Sequence, residues 1–292
     1  MQKVAICTIN YTSKKETLSL LKNLESLNGD FEVFVLENGS PNNFIKESDL
    51  PKTKYKIHFF KSAKNLGYAG GNNLIIKNIL DKNFDYYWLL NNDTQIEKDT
   101  LALMLDTYKV KKDAGIVGCL VIQDMDKVWW AGSKLDLKRG KITKKYYGID
   151  FKDVKKGIFK TDEVNGAMML IKKEVVAKIG LLDTVFFHTA EDTDYSIRAK
   201  LAGFGLYVNT NAKVFHSIGK SSGGAYSPMH MFFVERGRLM LMRKWKKLNF
   251  ISFTFLLPLW CKRILAPIIR KGDFKSSLYT VKGIVEGLTH PV

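Results

Sequence analysis

The first forty residues alternate between two hydrophobic patterns, and this alternation restricts the possible folds more than any other feature. Residues 4–9 and 31–36 are short, largely apolar runs rich in β-branched and aromatic side chains, which is typical of buried strands. Between them, leucines recur at three-residue steps, which predicts a helix with one apolar face (Leu18, Leu21, Leu24 and Leu27). A strand, a helix and a strand in this order predict a βαβ unit, and therefore an α/β fold with a parallel sheet.

The same kind of pattern continues along most of the chain. Apolar runs predict strands at residues 55–60, 86–90, 114–121, 164–171, 205–208 and 214–217. Helices are predicted up to residue 80, at 97–110 and 173–179, up to residue 202, and at 229–247 after a loop at 221–224. The lysine-rich residues 123–162 predict short strands and loops over the sheet, where Trp129 and Trp130 belong to the core or form a wall for a ligand.

Polar residues follow the predicted strands at the points where they end. The aromatic strand 86–90 stops at Asn91, Asn92 and Asp93, and ligands of open α/β sheets bind at such carboxyl ends. The same three residues also suit a simple Asx turn. His216 ends a later strand, where it is either structural or a metal ligand. These patterns alone leave both readings open.

Two further segments have the composition of a ligand site. Glycine-rich residues 65–73 precede a helix, where backbone N–H groups can approach an anion. The segment lacks the G-x-G-x-x-G spacing of dinucleotide sites, and no Gly-Lys-Ser/Thr of a P-loop follows. Three carboxylates in four positions open a helix at Glu191, Asp192 and Asp194. They suit the helix dipole, but a cluster this dense in so basic a chain indicates a site.

The net charge of +17 and the pI near 9.6 predict an anionic partner. Nucleic acid, an anionic membrane and phosphate-bearing substrates all qualify. A nucleic-acid-binding protein would carry its basic residues in a stripe on a known binding module. The lysines of this chain are instead scattered along its whole length, so no nucleic-acid partner is expected. Three widely spaced cysteines suggest neither disulfides nor zinc and suit a reducing cytosol. The immediate strand pattern leaves no room for a signal peptide.

The apolar tail at residues 250–260 is interrupted by Pro258 and accompanied by basic residues. No stretch reaches the about 18 uninterrupted apolar residues of a spanning helix, so the tail is expected to be too short to cross a bilayer. It suits a segment lying in the interface with anionic lipid. An ordinary helix pair packed on the domain fits the pattern equally well.

Taken in order, these stretches resemble family 2 glycosyltransferases of the GT-A fold, especially the rhamnosyltransferase-like branch. The matching pieces extend from Val4 to about Lys247: residues 10–11, 37–40, 65–73, 91–93, 165–166, 191–194 with Arg198, and the strand end at 216. The resemblance implies a Rossmann-like, mostly parallel sheet flanked by helices in residues 1–247. Residues 1–122 would bind the nucleotide sugar, 123–227 would hold the acceptor and catalytic half, and 248–292 would form a C-terminal helical extension.

The resemblance further implies inverting transfer of a sugar from a nucleotide diphosphate to a hydroxyl, with Mg²⁺ or Mn²⁺. Asp192 matches the family's catalytic base, and Asp93 takes the place of the metal-binding carboxylate of its D-x-D motif. His216 matches a position that completes the metal site in some relatives. Asn91 replaces the first carboxylate of the motif, so one contact to the metal or ribose must be neutral.

The same matching assigns the donor pocket. Glu37 stands where the family more often has Asp, and either Arg236 or Arg238 is a candidate clamp on the diphosphate. The residues implied to bind the nucleotide sugar are Asn10, Glu37, Asn65, Gly70, Gly71, Asn91, Asn92, Asn165, Gly166, Glu191 and Arg236.

The branch suggests dTDP-rhamnose as the donor, with UDP-hexoses and UDP-N-acetylhexosamines as alternatives. The implied acceptor is a growing surface polysaccharide or a glycan on polyprenyl diphosphate. The enzyme would therefore be cytoplasmic and peripherally associated with the inner face of the cell membrane, whose anionic surface would be a further partner.

Overall fold

The computed structural model describes residues 2–123, 126–216 and 227–292, and at residues 270 and 271 it describes the backbone alone. The predicted loop at 221–224 lies outside the described residues. The chain divides into two compact units. The first comprises Met1–Lys134, Lys144–Phe187 and Asp192–Ser217, and the second comprises Leu135–Thr143, His188–Glu191 and Ile218–Val292.

The first unit is built on the predicted parallel strands and helices. Strands β1 (Lys3–Asn10), β2 (Asp30–Asn38), β3 (Ile57–Ser62) and β4 (Tyr86–Leu90) are parallel, in the order β3-β2-β1-β4. Helices α1 (Lys14–Asn23) and α2 (Gly67–Lys77) connect them, followed by α3 (Thr100–Val110). Side chains such as those of Ile6, Leu36 and Trp88 are fully buried between the layers. The predicted βαβ unit is confirmed.

The sheet continues beyond β4 with strands of both directions. The strands that follow in the chain are β5 (Thr94–Ile96), β6 (Ala114–Gln123), β7 (Lys127–Trp130), β8 (Ser133–Asp136), β9 (Lys141–Lys144), β10 (Ile158–Lys160), β11 (Met168–Lys172) and β12 (Gly205–His216). Of these, β8 and β9 form a separate two-stranded sheet, and the others belong to the main sheet. β11 lies antiparallel between β4 and β6, and β12 is parallel to β6. Helices α4 (Lys173–Ile179) and α5 (Glu191–Leu201) complete this part of the chain. The predicted mostly parallel sheet flanked by helices is confirmed.

Two predicted strands differ clearly from the structure in their bounds. The runs at 205–208 and 214–217 form one strand, β12, whose register shifts between Asn209 and Lys213, so the polar residues between the runs do not end it. The strand predicted from residue 164 begins only at Met168, because residues 165–167 form a turn. Trp130 is fully buried in the core, whereas Trp129 is half-buried.

The second unit contains the three C-terminal helices α6 (Pro228–Lys244), α7 (Phe250–Lys271) and α8 (Phe274–Thr289). α6 and α8 pack closely, because glycines face α6: a Cβ on Gly283 would lie 2.4 Å from the carbonyl oxygen of Phe232. Leu239 and Met242 of α6 are buried with Leu256 and Trp260 of α7. The helical nature of the predicted extension is therefore observed.

The tail is longer as a helix than the sequence pattern predicts. Pro258 and Pro267 both lie inside α7, which spans 22 residues, so a proline that costs the helix a hydrogen bond has not ended it. The 20-residue stretch Phe250–Ile269 is long and apolar enough to cross a membrane, and 22% of its 18-residue apolar window is buried. The expectation that the tail is too short to span a bilayer was therefore wrong.

Candidate active site

Asp192, the implied catalytic base, is the second residue of α5 and is half-buried. Its Oδ2 accepts a hydrogen bond from the backbone N–H of Gly166 at 2.9 Å, and its Oδ1 accepts one from the N–H of Thr193 at 2.7 Å. Removal from water raises the pKa of this carboxyl even though both donors favour the charged form. The carboxylate is thus fixed in position and has an increased affinity for a proton.

Asp93 and His216 lie side by side although 123 residues separate them in the sequence. β5 pairs with β12 so that Thr94 lies opposite His216, which brings Asp93 Oδ1 to 2.9 Å from His216 Nε2. The amide nitrogen of Asn91 lies 3.4 Å from the same imidazole nitrogen. Both members of the pair are largely shielded from solvent, with 6% and 9% of their side chains exposed.

This pair suits part of a divalent cation site. Among the described residues, no group of three or more His, Cys, Asp or Glu side chains could hold a metal ion. The Nδ1 atom of His216 is buried and has no hydrogen-bond partner among the residues that the structure describes. Mg²⁺ commonly uses one or two carboxylates together with substrate phosphates and water, and imidazole also suits Mn²⁺. One carboxylate and one imidazole therefore fit a cation that a diphosphate completes.

A backbone turn connects the Asp93–His216 pair to Asp192. The N–H of Asn91 donates to the carbonyl of Ala167 at 2.9 Å, and the N–H of Gly166 donates to Asp192. The hydroxyl of Tyr68 donates to the carbonyl of Gly166. The turn before β11 thus ties the end of β4 to the start of α5.

Glu37 and Asn10 lie together at the ends of β2 and β1. Glu37 is buried and accepts hydrogen bonds from the Asn10 amide at 2.6 Å and from the backbone N–H groups of Ser40 and Ile45, each at 2.8 Å. The oxygens of Glu37 are committed to its own loop. The geometry favours a role in shaping this loop over direct contact with a base or ribose.

Asn65 caps the start of α2 together with Asn38, a residue that the sequence reasoning did not single out. Asn65 Oδ1 accepts from the N–H of Gly67 at 2.9 Å and from the Asn38 amide at 3.1 Å, and Asn38 Oδ1 accepts from the N–H of Leu66 at 3.1 Å. The available signal was the position of Asn38 beside Glu37 in the same polar loop.

The glycine-rich segment is helical rather than a loop that opens a helix. Gly70 and Gly71 both lie inside α2, and a Cβ on Gly71 would lie 2.7 Å from the side chain of Ile9 and 3.3 Å from that of Leu36. Gly71 therefore allows the helix to pack closely on the sheet. The residue that requires glycine for its backbone is Gly67, which has a φ of 72° and directly adjoins Phe187.

The remaining implied donor residues lie in different surroundings. Asn92 donates to the Thr17 hydroxyl at 2.8 Å, and Asn165 Oδ1 accepts from the N–H of Ala167 at 3.0 Å in an Asx turn. Glu191 is the first residue of α5 and belongs to the second unit. Arg236 lies on α6, also in the second unit, and its Nε donates to Glu286 of α8 at 2.7 Å.

This ion pair between α6 and α8 favours a structural role for Arg236 over that of a diphosphate clamp. The alternative, Arg238, has a guanidinium nitrogen 3.6 Å from Glu235 on the same helix. Neither of these ion pairs indicates that the guanidinium binds a phosphate.

The three carboxylates at the start of α5 do not share one task. Asp194 is fully buried and accepts from Nε of Arg198 at 2.9 Å. Arg198 also donates to the carbonyls of Ile179 and Leu181, both at 2.8 Å. Asp194 is therefore part of a structural ion pair, and the interpretation of the whole cluster as a site was too broad.

Two titratable side chains near Asp192 were missed because they belong to segments without clear periodicity. Glu163 is buried, and burial together with the charge of Asp192 raises its pKa to about 7. Lys144 Nζ lies 3.6 Å above the ring of Trp129, and burial lowers the pKa of Lys144 to about 8. Trp129 in turn meets the ring of His216 edge-on, with centroids 5.7 Å apart. The adjacent tryptophans were the available signal.

Comparisons with known proteins identify the family of the chain. The family model described as Glycosyl transferase family 2 matches residues 4–180. The dTDP-rhamnosyl transferase RfbF of Shigella flexneri is 24% identical over 236 residues, covering 77% of this chain and 76% of that protein. The low-salt glycan biosynthesis hexosyltransferase Agl10 of Haloferax volcanii is 25% identical over 205 residues, covering 68% of this chain and 62% of that protein.

Solved structures show the same fold. The mannosyltransferase PcManGT of Pyrobaculum calidifontis, in complex with GDP-Man and Mn²⁺, has a TM-score of 0.60 at 11% identity, covering 98% of this chain and 87% of that chain. TarS 1–349 of S. aureus with UDP-GlcNAc has a TM-score of 0.59 at 14% identity, covering 98% and 82%. These likenesses confirm the GT-A fold. Since the family model matches more than half of its residues, the chain belongs to glycosyl transferase family 2.

Proposed function

We propose that this chain is an inverting, metal-dependent glycosyltransferase that uses a nucleotide-diphosphate sugar, with dTDP-rhamnose as the preferred donor. The acceptor is a hydroxyl of a growing surface polysaccharide or of a lipid-linked glycan. The observation that carries the proposal is the hydrogen-bonded connection from the Asp93–His216 pair through Asn91 and residues 166–167 to Asp192. A base and a diphosphate site are the two parts that such a transfer needs.

The proposed reaction is a single displacement. The acceptor oxygen forms a bond to the anomeric carbon while the bond from that carbon to the diphosphate oxygen breaks, and the electron pair leaves with the diphosphate. Asp192 accepts the proton of the attacking hydroxyl as general base. A divalent cation bound by Asp93 and His216 would supply Lewis-acid stabilisation of the leaving diphosphate. Attack on the face opposite the leaving group inverts the anomeric centre.

Replacing Asp192 by Asn tests the base. D192N keeps an oxygen that can accept from Gly166 but cannot take up a proton at neutral pH. We expect the single-turnover rate of transfer to fall by about 10² to 10⁴, with donor affinity nearly unchanged. The matched control is D162N, which removes the carboxylate of a solvent-exposed pair with Lys200. Retained transfer by D192N would refute its role as base.

A direct comparison of nucleotide sugars tests which donor the protein uses. RfbF supports dTDP-rhamnose, whereas Agl10 and the neighbour bound to UDP-GlcNAc support UDP-hexoses or UDP-N-acetylhexosamines. Purified protein is mixed with each donor and Mg²⁺, Mn²⁺ or EDTA, and release of the nucleoside diphosphate is measured. We expect the fastest release from dTDP-rhamnose, and none with EDTA. Faster release from a UDP-sugar would overturn the donor assignment, and full activity in EDTA would overturn the metal requirement.

We propose further that the C-terminal helices lie on the inner surface of the cell membrane, where a polyprenyl-diphosphate-linked acceptor is found. α8 exposes an apolar stripe at helical spacing (Phe274, Leu278, Val281 and Val285), and α7 exposes a second set that includes Phe250, Ile251, Phe255, Leu265 and Ile269. Lys262 and Arg263 lie in the middle of α7, where a spanning helix would place two cations at the costly bilayer centre. An interfacial position avoids this cost and brings basic residues to anionic lipid.

Co-sedimentation with vesicles tests this placement. The double variant L278D/V285D puts two carboxylates on the exposed stripe, and we expect its binding to vesicles of anionic phospholipid to fall at least tenfold. The control L80D carries the same change at an exposed leucine of the first unit and should bind like the wild type. Undiminished binding of the double variant would exclude this face as the membrane contact.

A further inference from the structure

Glu163 is a buried carboxylate that the proposed transfer does not use. It is 4% exposed, and its two oxygens accept from hydroxyls: Oε1 from Ser133 at 2.9 Å and Oε2 from Thr193 at 2.7 Å. A buried carboxylate normally gains a cation within hydrogen-bond distance, because desolvation otherwise disfavours its charge. Here neutral donors occupy both oxygens, so the cost of ionisation is only partly offset.

The Thr193 hydroxyl is the physical link between Glu163 and the base. Thr193 Oγ1 lies 2.7 Å from Glu163 Oε2 and 3.4 Å from Asp192 Oδ1. A hydroxyl has one proton to donate, and the shorter distance assigns it to Glu163. Asp192 Oδ1 therefore keeps only the backbone N–H of Thr193 as a strong donor. An oxygen with fewer donors accepts a substrate proton more readily.

The charges around Glu163 favour coupling to the base. The titratable groups that face it are Asp192 on α5, which disfavours its ionisation, and Lys144 at the end of β9, which favours it. The same Lys144 also acts on Asp192. Two carboxylates and one lysine therefore form a cluster in which each ionisation changes the others.

We propose that Glu163 is a positioning residue for Asp192, which draws the Thr193 hydroxyl away from the base and places a negative charge behind it. This inference rests on the proposed function, because it takes Asp192 as the group that accepts the acceptor proton. Loss of the proton from Glu163 makes Asp192 the stronger base. The transfer step should then accelerate as Glu163 ionises, near pH 7, where burial and the neighbouring Asp192 place its pKa.

Single-turnover rates measured between pH 5.5 and 8.5 with excess enzyme test the inference. The wild-type rate should rise about threefold through pH 7, which corresponds to a coupling of about one pKa unit of which about half is expressed in the rate. E163Q keeps the size of the side chain and an acceptor for one hydroxyl, but it cannot ionise. Its rate should stay near the low-pH value throughout. D162N, the adjacent carboxylate variant, should retain the wild-type profile.

Lys144 provides an independent arm if E163Q does not fold. Removing its positive charge in K144M makes ionisation of Glu163 harder, so the midpoint of the rate increase should move to higher pH. K145M changes the neighbouring lysine and should leave the midpoint in place. A uniform loss of rate in E163Q with an unchanged profile would show a merely structural role and overturn the inference. Transfer that survives D192N would refute the base itself, which is a separate outcome.

Discussion

Asp194 of α5 and Glu163, which accepts a hydrogen bond from α5, are both buried carboxylates, yet their partners differ in kind. Asp194 accepts from the guanidinium of Arg198, which is itself held by two backbone carbonyls. Glu163 accepts from two neutral hydroxyls. Arginine keeps its charge at all physiological pH values, whereas a hydroxyl supplies no charge at all. The first arrangement fixes a structure, and the second leaves an ionisation that can still change.

The comparison separates residues that the sequence alone grouped together. The cluster of carboxylates at the start of α5 contains the proposed base Asp192, the ion-paired Asp194 and Glu191, and only their partners distinguish them. Asp192 has backbone donors and partial exposure, so it remains accessible to a substrate. Asp194 is instead paired with the guanidinium of Arg198 and takes no part in the proposed reaction.

The largest expected effect is on the structural pair. D194N removes the fully buried carboxylate and leaves the half-buried guanidinium of Arg198 without its counter-charge, so we expect the free energy of unfolding to fall by about 3 to 5 kcal/mol. Chemical denaturation measures this loss. D162N, which breaks a surface pair, should cost about 1 kcal/mol or less. An equal, small effect of both variants would contradict the structural role of Asp194.

Glu163 should make the free energy of unfolding depend on pH between pH 5 and pH 8. Its pKa is raised from the ordinary 4.5 to about 7, so the stability it contributes is present below pH 4.5 and lost as the pH rises through 7. Between pH 5 and pH 8, the wild type should therefore lose about 2 kcal/mol more than E163Q, at about 1.4 kcal/mol per pKa unit. Parallel stability curves for the two proteins would rule out the raised pKa.

Asp93 is the intermediate case, because its partner is the imidazole of His216 rather than a guanidinium or a hydroxyl. D93A should weaken donor binding in Mn²⁺ at least tenfold, about 1.4 kcal/mol, and should change metal-free binding little. Titration calorimetry with the nucleotide donor measures both affinities. The control is D85A, which removes the carboxylate just before β4, whereas Asp93 lies after the end of that strand. Metal-dependent binding that is unchanged in D93A would exclude Asp93 from the proposed cation site.

The sequence predicted most of the fold because burial periodicity is a local property. The strand at residues 86–90 and the helix at 173–179 have the predicted bounds, and the ordered polar strand ends were enough to indicate the family. It also singled out Asp93, His216 and Asp192. Their types and positions at strand and helix ends are readable without coordinates.

The partners of these residues were decided only by the tertiary structure. The register of β5 on β12 brings Asp93 to His216, and the turn at 165–167 joins β4 to Asp192. Tertiary packing also set Gly71 against the sheet, allowed α7 to continue past Pro258, and brought Glu163 to Thr193, the residue after Asp192. Hydrogen bonds between distant segments depend on strand register and burial. A single sequence shows which side chains can form such bonds, but only the folded chain selects their partners.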